Sequence, residues 1–97
     1  GKMPALWIAH VTVTDEEAYK KYAVGATEAI AAHGGKFIAR GGHYVQLEGK
    51  DRPRNVVARF KDVATAEACY RSDAYQAALE HARGASEREL LIVETTE

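Results

Sequence analysis

Apolar residues along this chain fall into six runs, whose spacing switches between the two-residue period of a strand and the 3.6-residue period of a helix. Residues 6–13 read as a strand, 15–33 as an amphipathic helix, and 36–48 and 55–60 as two more strands. A second helical stretch covers 63–83, and a last strand covers 89–95. In the first strand Trp7, Ala9, Val11 and Val13 share one parity, while Leu6, Ile8, His10 and Thr12 share the other. Large apolar groups stand on both parities, so both faces of this strand are expected to be covered.

Local signals punctuate these runs. Thr14 followed by Glu17 forms a capping box at the start of the first helix. Tyr19, Tyr22, Ala26, Ile30 and His33 recur at three- and four-residue spacing as its buried stripe. Glu16–Lys20 and Glu17–Lys21 are i,i+4 pairs in the favourable order, and Gly34-Gly35 supplies the left-handed turn that ends the helix. Gly41-Gly42 interrupts the second strand and reads as a bulge that bends one continuous strand rather than as a hairpin turn. The hairpin connection is then Gly49-Lys-Asp-Arg-Pro-Arg54. Asp62 caps the second helical stretch, Ser72-Asp-Ala-Tyr75 restarts it with a fresh N-cap, and residues 84–86 end it. The resulting βαββαβ order specifies an α+β, ferredoxin-like domain over residues 1–97, a four-stranded antiparallel sheet with both helices on one face. Two helices cover one face only. A second copy of the same sheet, packed face to face in a homodimer, is the simplest cover for the other.

Thirteen basic against fourteen acidic side chains give a net charge of −1, which lacks the basic face that a nucleic-acid or anionic-membrane binder needs. An apolar fraction of 46% is that of an ordinary globular chain. The lone Cys69 excludes an internal disulfide and fits a reducing compartment, so a cytoplasmic location is expected. No apolar run reaches the ~20 residues of a membrane helix, and no signal-peptide core precedes the first strand. Gly1, ahead of Lys2-Met3, reads as an expression remnant.

Several segments are recognisable together: Trp7-Ile-Ala-His10, Tyr19-Lys-Lys-Tyr22, Gly34-Gly-Lys-Phe-Ile-Ala-Arg-Gly-Gly42, Leu47-Glu-Gly49, Phe60 with Asp62, and Tyr70-Arg-Ser-Asp-Ala-Tyr75. With them the chain resembles the small bacterial proteins of the domain of unknown function 1330 family, within the dimeric α+β barrel superfamily. The resemblance implies a ferredoxin-like protomer whose sheet packs on a partner's sheet. It implies no single activity, since relatives in the wider superfamily include cofactor-free monooxygenases, haem-degrading enzymes, muconolactone-isomerase-like proteins and chlorite dismutases.

Candidate chemistry gathers on a few polar residues. His10, between Ala9 and Val11, is expected to be buried, as a general acid/base in a sheet-lined pocket or as a hydrogen-bonded core histidine. Arg40 stands beside Gly41-Gly42, where missing side chains leave room for an anion. It reads as a carboxylate clamp, or as half of an ion pair with Glu94 or with a partner subunit. Arg59 is a weaker version of the same idea, and Tyr22 reads as a core aromatic whose hydroxyl reaches the sheet. A pocket lined by Trp7, His10, Tyr22, Arg40 and Arg59, with His10 and Arg40 as its catalytic pair, would take a small organic acid without a cofactor. Strand parity groups His10 with Ile8 and Arg40 with Ile38, so both are expected on the face away from the helices, unless a bulge shifts the count. His10, His33, His43 and His81 lie on separate elements with no helical i,i+4 pair, so no metal site is expected. A non-catalytic dimeric module is the alternative.

Overall fold

The computed structural model describes residues 3–97; Gly1, read above as a remnant, lies outside the described residues. The elements are β1 (Ala5–Val13), α1 (Glu16–Ala32), β2 (Lys36–Arg40), β3 (Arg54–Phe60), α2 (Val63–Arg71), α3 (Asp73–Ala82) and β4 (Ser86–Glu94). The strands form one antiparallel sheet in the order β2-β3-β1-β4, with the helices on one face, as the ferredoxin-like expectation requires. No described helix is long and apolar enough to cross a membrane.

Alternation along β1 decides the core. Trp7, Ala9 and Val11 turn toward the helices and are buried with Ala58 and Phe60 of β3. Tyr19, Tyr22, Ala26 and Ile30 of α1 close over them, together with Cys69 of α2 and Tyr75 and Leu79 of α3. The Trp7 ring meets Tyr75 edge-on, with centroids 5.1 Å apart, a favourable aromatic geometry. Leu6 and Ile8 point to the opposite, open face, where Leu91 and Val93 of β4 remain 53% and 45% exposed. The second apolar face inferred from β1 alone is therefore present, and no helix covers it among the described residues.

Asp62 and Ser72 cap as expected: Asp62 Oδ1 accepts from Thr65 N at 2.7 Å, and Ser72 Oγ accepts from Tyr75 N at 3.2 Å while donating to Cys69 O. The cap of α1 shifts by one residue. Asp15, not Thr14, accepts from Ala18 N, and Ala85 O at the turn into β4 holds the N–H groups of both Thr14 and Asp15. In place of the two i,i+4 pairs, Lys20 meets Glu17 at i,i+3.

The second strand departs most from expectation. β2 ends at Arg40, and residues 41–53 form an irregular loop instead of continuing the strand. A register shift does exist, but earlier. Phe37 pairs with Ala58 and Ala39 with Val57, which leaves Ile38 as the extra residue. Gly41, at φ +69°, takes the left-handed conformation that turns the chain out of the sheet. The loop is tied back to the polar end of the open face by Arg52, which contacts Glu89 at 3.0 Å and both Glu87 and Thr12 at 3.2 Å. β4 begins at Ser86, earlier than the predicted start at residue 89.

Candidate functional site

β4 alternates Ser86, Arg88, Leu90 and Ile92 toward the helices, and this places a guanidinium on an otherwise apolar face. Arg88 Nη2 donates to the hydroxyl of Tyr22 at 2.7 Å and lies 3.4 Å from that of Tyr75, while the two hydroxyls are 2.7 Å from one another. The guanidinium carbon stands 4.6 Å from the Tyr22 ring centroid, a cation–π contact. Arg88 Nε is buried with no hydrogen-bond partner among the described residues.

Around this group, between α1 and the sheet, lies a chamber of about 40 Å³ with Trp7, Ile30 and Phe37 in its apolar wall and Arg40, Arg54 and Arg88 as its charged groups. That is room for about three water-sized spheres, enough for a carboxylate head. Outward, grooves along α1 share Arg54 and Ala23 with the chamber and carry Glu16 and Glu28 at their edges.

The charge balance of the chamber is one-sided. Burial, reinforced by the neighbouring Tyr75, pushes the Tyr22 phenol well above the ordinary tyrosine range, and burial raises Tyr75 as well. Both phenols are neutral near pH 7, so they hydrogen-bond Arg88 without compensating its charge. No acidic side chain lines the chamber, and no ion pair to Arg40, Arg54 or Arg88 exists among the described residues.

Of the residues singled out in the sequence, Trp7, Tyr22 and Arg40 meet at this chamber. His10 and Arg59 do not. His10 is exposed on the open face, where its Nδ1 is 2.6 Å from Asn55 Oδ1 and the residues around it are Gln46, Glu48 and Glu89. The expectation of a buried His10 is corrected: only Trp7 parity is covered by helices. Arg59, paired with Leu6, lies on the open face and contacts Glu97. The expectation that His10 and Arg40 face one cavity is likewise overturned. The extra residue at Ile38 flips parity, so Arg40 pairs with Val56 on the helix side. Nor does Arg40 pair with Glu94, which belongs to the strand at the far edge of the sheet; its guanidinium instead lies 4.5 Å from the Phe37 ring centroid. The space at Gly41 serves Arg54: a Cβ there would sit 2.9 Å from Arg54 Nη1.

Arg54 and Arg88 were missed in the sequence. Both pair with Val11, one on each side, and so share its inward face. The parity of Arg88 with Leu90 and Ile92 was a readable signal, hidden only because the last strand was begun at residue 89. Among the described residues, no group of three or more His, Cys, Asp or Glu side chains is placed to hold a metal ion.

The family profile described as Domain of unknown function (DUF1330) matches residues 4–96. A protein of unknown function from Rhodopseudomonas palustris superposes with a TM-score of 0.80 at 20% identity, over 100% of this chain and 85% of that one. A dimeric ferredoxin-like protein of unknown function from Thermobifida fusca gives 0.66 at 17% identity, over 97% and 92%. SnoaB, a cofactor-independent oxygenase from Streptomyces nogalater, gives 0.64 at 11% identity, over 98% and 95%. At these identities the likeness shows the fold alone. No curated protein matches the chain.

Proposed function

This chain belongs to the DUF1330 family, a domain of unknown function, and from that premise we propose that it is a homodimeric protein that binds the carboxylate of a small organic acid between α1 and the sheet. One observation carries the reading: three arginines and the neutral Tyr22 phenol, itself hydrogen-bonded to Tyr75, line a chamber with no acidic residue in its lining. A guanidinium held by neutral hydroxyls is preorganised for an anion, because its desolvation is not offset by any carboxylate in the chamber lining. The apolar wall would hold the hydrocarbon part of the ligand.

Binding is favoured over acid–base catalysis. With His10 on the other face, the chamber offers no histidine or carboxylate that could exchange a proton near neutral pH. Homodimer formation is supported by the open sheet face, where Leu6, Ile8, Val57, Leu91 and Val93 form a continuous apolar area, and by the dimeric state of the T. fusca neighbour. A cytoplasmic location fits a lone cysteine that forms no internal disulfide; Cys69 is fully buried, and burial pushes its thiol up to about 11, which makes it inert.

Thermal melts with a panel of short carboxylic acids test the proposal. A ligand at a hundred times its Kd adds about 2.7 kcal/mol, a rise of several degrees in Tm, and Arg88→Gln should remove the rise. A panel that leaves Tm unchanged would return the chain to the alternative of a non-catalytic dimeric module.

A further inference from the structure

We infer that the ligand is a dicarboxylate gripped at two poles, Arg88 with Tyr22 at the inner end and Arg54 with Arg40 at the outer end; this rests on the carboxylate reading above. The sheet register sets the two poles apart. Arg54 and Arg88 flank Val11 in one row across the sheet, so their Cα atoms stand two strand spacings apart, about 10 Å. Arg40 pairs with Val56, two residues along β3 from Arg54 and on the same face. Arg40 and Arg54 also line the groove that runs outward past Thr27, whereas Arg88 lines the inner chamber.

Charge then decides between one carboxylate and two. A single carboxylate at Arg88 compensates one guanidinium and leaves Arg40 and Arg54 with no counter-ion in the chamber lining. Arg54 is half-buried and Arg40 exposed, so solvent screens part of the repulsion between them, and no carboxylate of the chamber lining offsets the rest. A second carboxylate at the outer pole removes it. Glu28 lines the outer groove with Arg40 and Arg54, but neither it nor Glu16 forms an ion pair with either arginine among the described residues, so they do not take the place of that second carboxylate. Arg88 lines the inner chamber alone, while Arg40 and Arg54 also line the outer groove, so an elongated ligand with a charge at each end serves both better than a compact dianion such as phosphate.

Calorimetric titration of the full chain with acids of matched carbon number tests this: succinate against butyrate, glutarate against pentanoate, and inorganic phosphate. Each diacid should bind about tenfold tighter or better than its mono-acid partner, and phosphate should bind no better than the mono-acids. The Arg54 side chain makes no hydrogen bond or ion pair among the described residues, so Arg54→Gln removes charge without unpairing a group. It should narrow the gap between diacid and mono-acid by about tenfold, whereas Arg88→Gln should abolish the binding of both. Equal affinity for mono- and diacids, with Arg88→Gln still abolishing both, overturns the two-pole inference and leaves the carboxylate site standing. Phosphate binding as tightly as the diacids also overturns it. Failure of every acid to bind overturns both readings.

Discussion

Gly25 of α1 and Ala78 of α3 set the helix spacing on which the chamber depends. A Cβ on Gly25 would fall 2.8 Å from Ala78 Cβ, whereas ordinary contact begins at 3.4 Å, so Gly25→Ala must push the helices apart by the missing 0.6 Å. Each of these residues stands one turn beyond a member of the phenol pair, Gly25 after Tyr22 and Ala78 after Tyr75. Their separation would stretch the 2.7 Å hydroxyl contact past the range of a good O–H···O bond. Alanine in a helix interior is favoured over glycine by about 0.8–1.0 kcal/mol. Against that stand an overpacking cost of about 1–3 kcal/mol and a weakened hydrogen bond of about 0.5–1.5 kcal/mol. The net expectation is a loss of about 1–3 kcal/mol. Ala78→Gly alone should cost about 1 kcal/mol through propensity. In the double variant the two propensity effects cancel and the clash is gone, so stability should return to within about 0.5 kcal/mol of the starting protein. The coupling is therefore about 2 kcal/mol or more in favour of the pair. Urea denaturation followed by circular dichroism measures it, at one fixed protomer concentration because a dimer's stability depends on concentration. Additive single effects, or a Gly25→Ala variant more stable than the parent, would refute the argument.

Two further expectations concern pH and assembly. Burial holds the Tyr22 and Tyr75 phenols above their ordinary value, so the folded chain keeps protons that the unfolded chain releases. The raised Cys69 thiol should start a decline near pH 9, and the two phenols should steepen it above about pH 10, by up to about 1.4 kcal/mol per pH unit for each phenol. Urea midpoints compared for the parent and Tyr22→Phe should show the shallower alkaline decline in the variant, and parallel declines would contradict the assignment. On the open face, Leu91→Lys should leave the helical signal intact but convert a dimer into a species near 10.6 kDa by light scattering. A mass near 10.6 kDa for the unaltered chain at micromolar concentration would remove the dimer from the proposal.

What the sequence determined by itself was everything that depends on neighbours along the chain. Helix periodicity located Tyr22 on the inward stripe of α1, the Asp62 and Ser72 caps located α2 and α3, and alternation along β1 revealed a second apolar face before any fold was known. These are short-range matters of side-chain direction and backbone hydrogen bonding, and they are written in consecutive residues. The site was legible only in part. Trp7, Tyr22 and Arg40 were found, but the partnership of Arg40 with His10 was not real, and Arg54 and Arg88 went unseen. Parity within a strand is local, but the face of Arg40 depends on whether Ile38 pairs, and that was settled by the pairing of β2 with β3 across a long loop. Arg54 and Arg88 are far apart in sequence and become neighbours of one another's field because both take Val11 as their cross-strand partner. Register between distant strands is fixed by burying one face of each at once, which is a property of the assembled sheet and not of any stretch of chain. The chamber and its unbalanced positive charge therefore came into existence only when the sheet closed beneath α1.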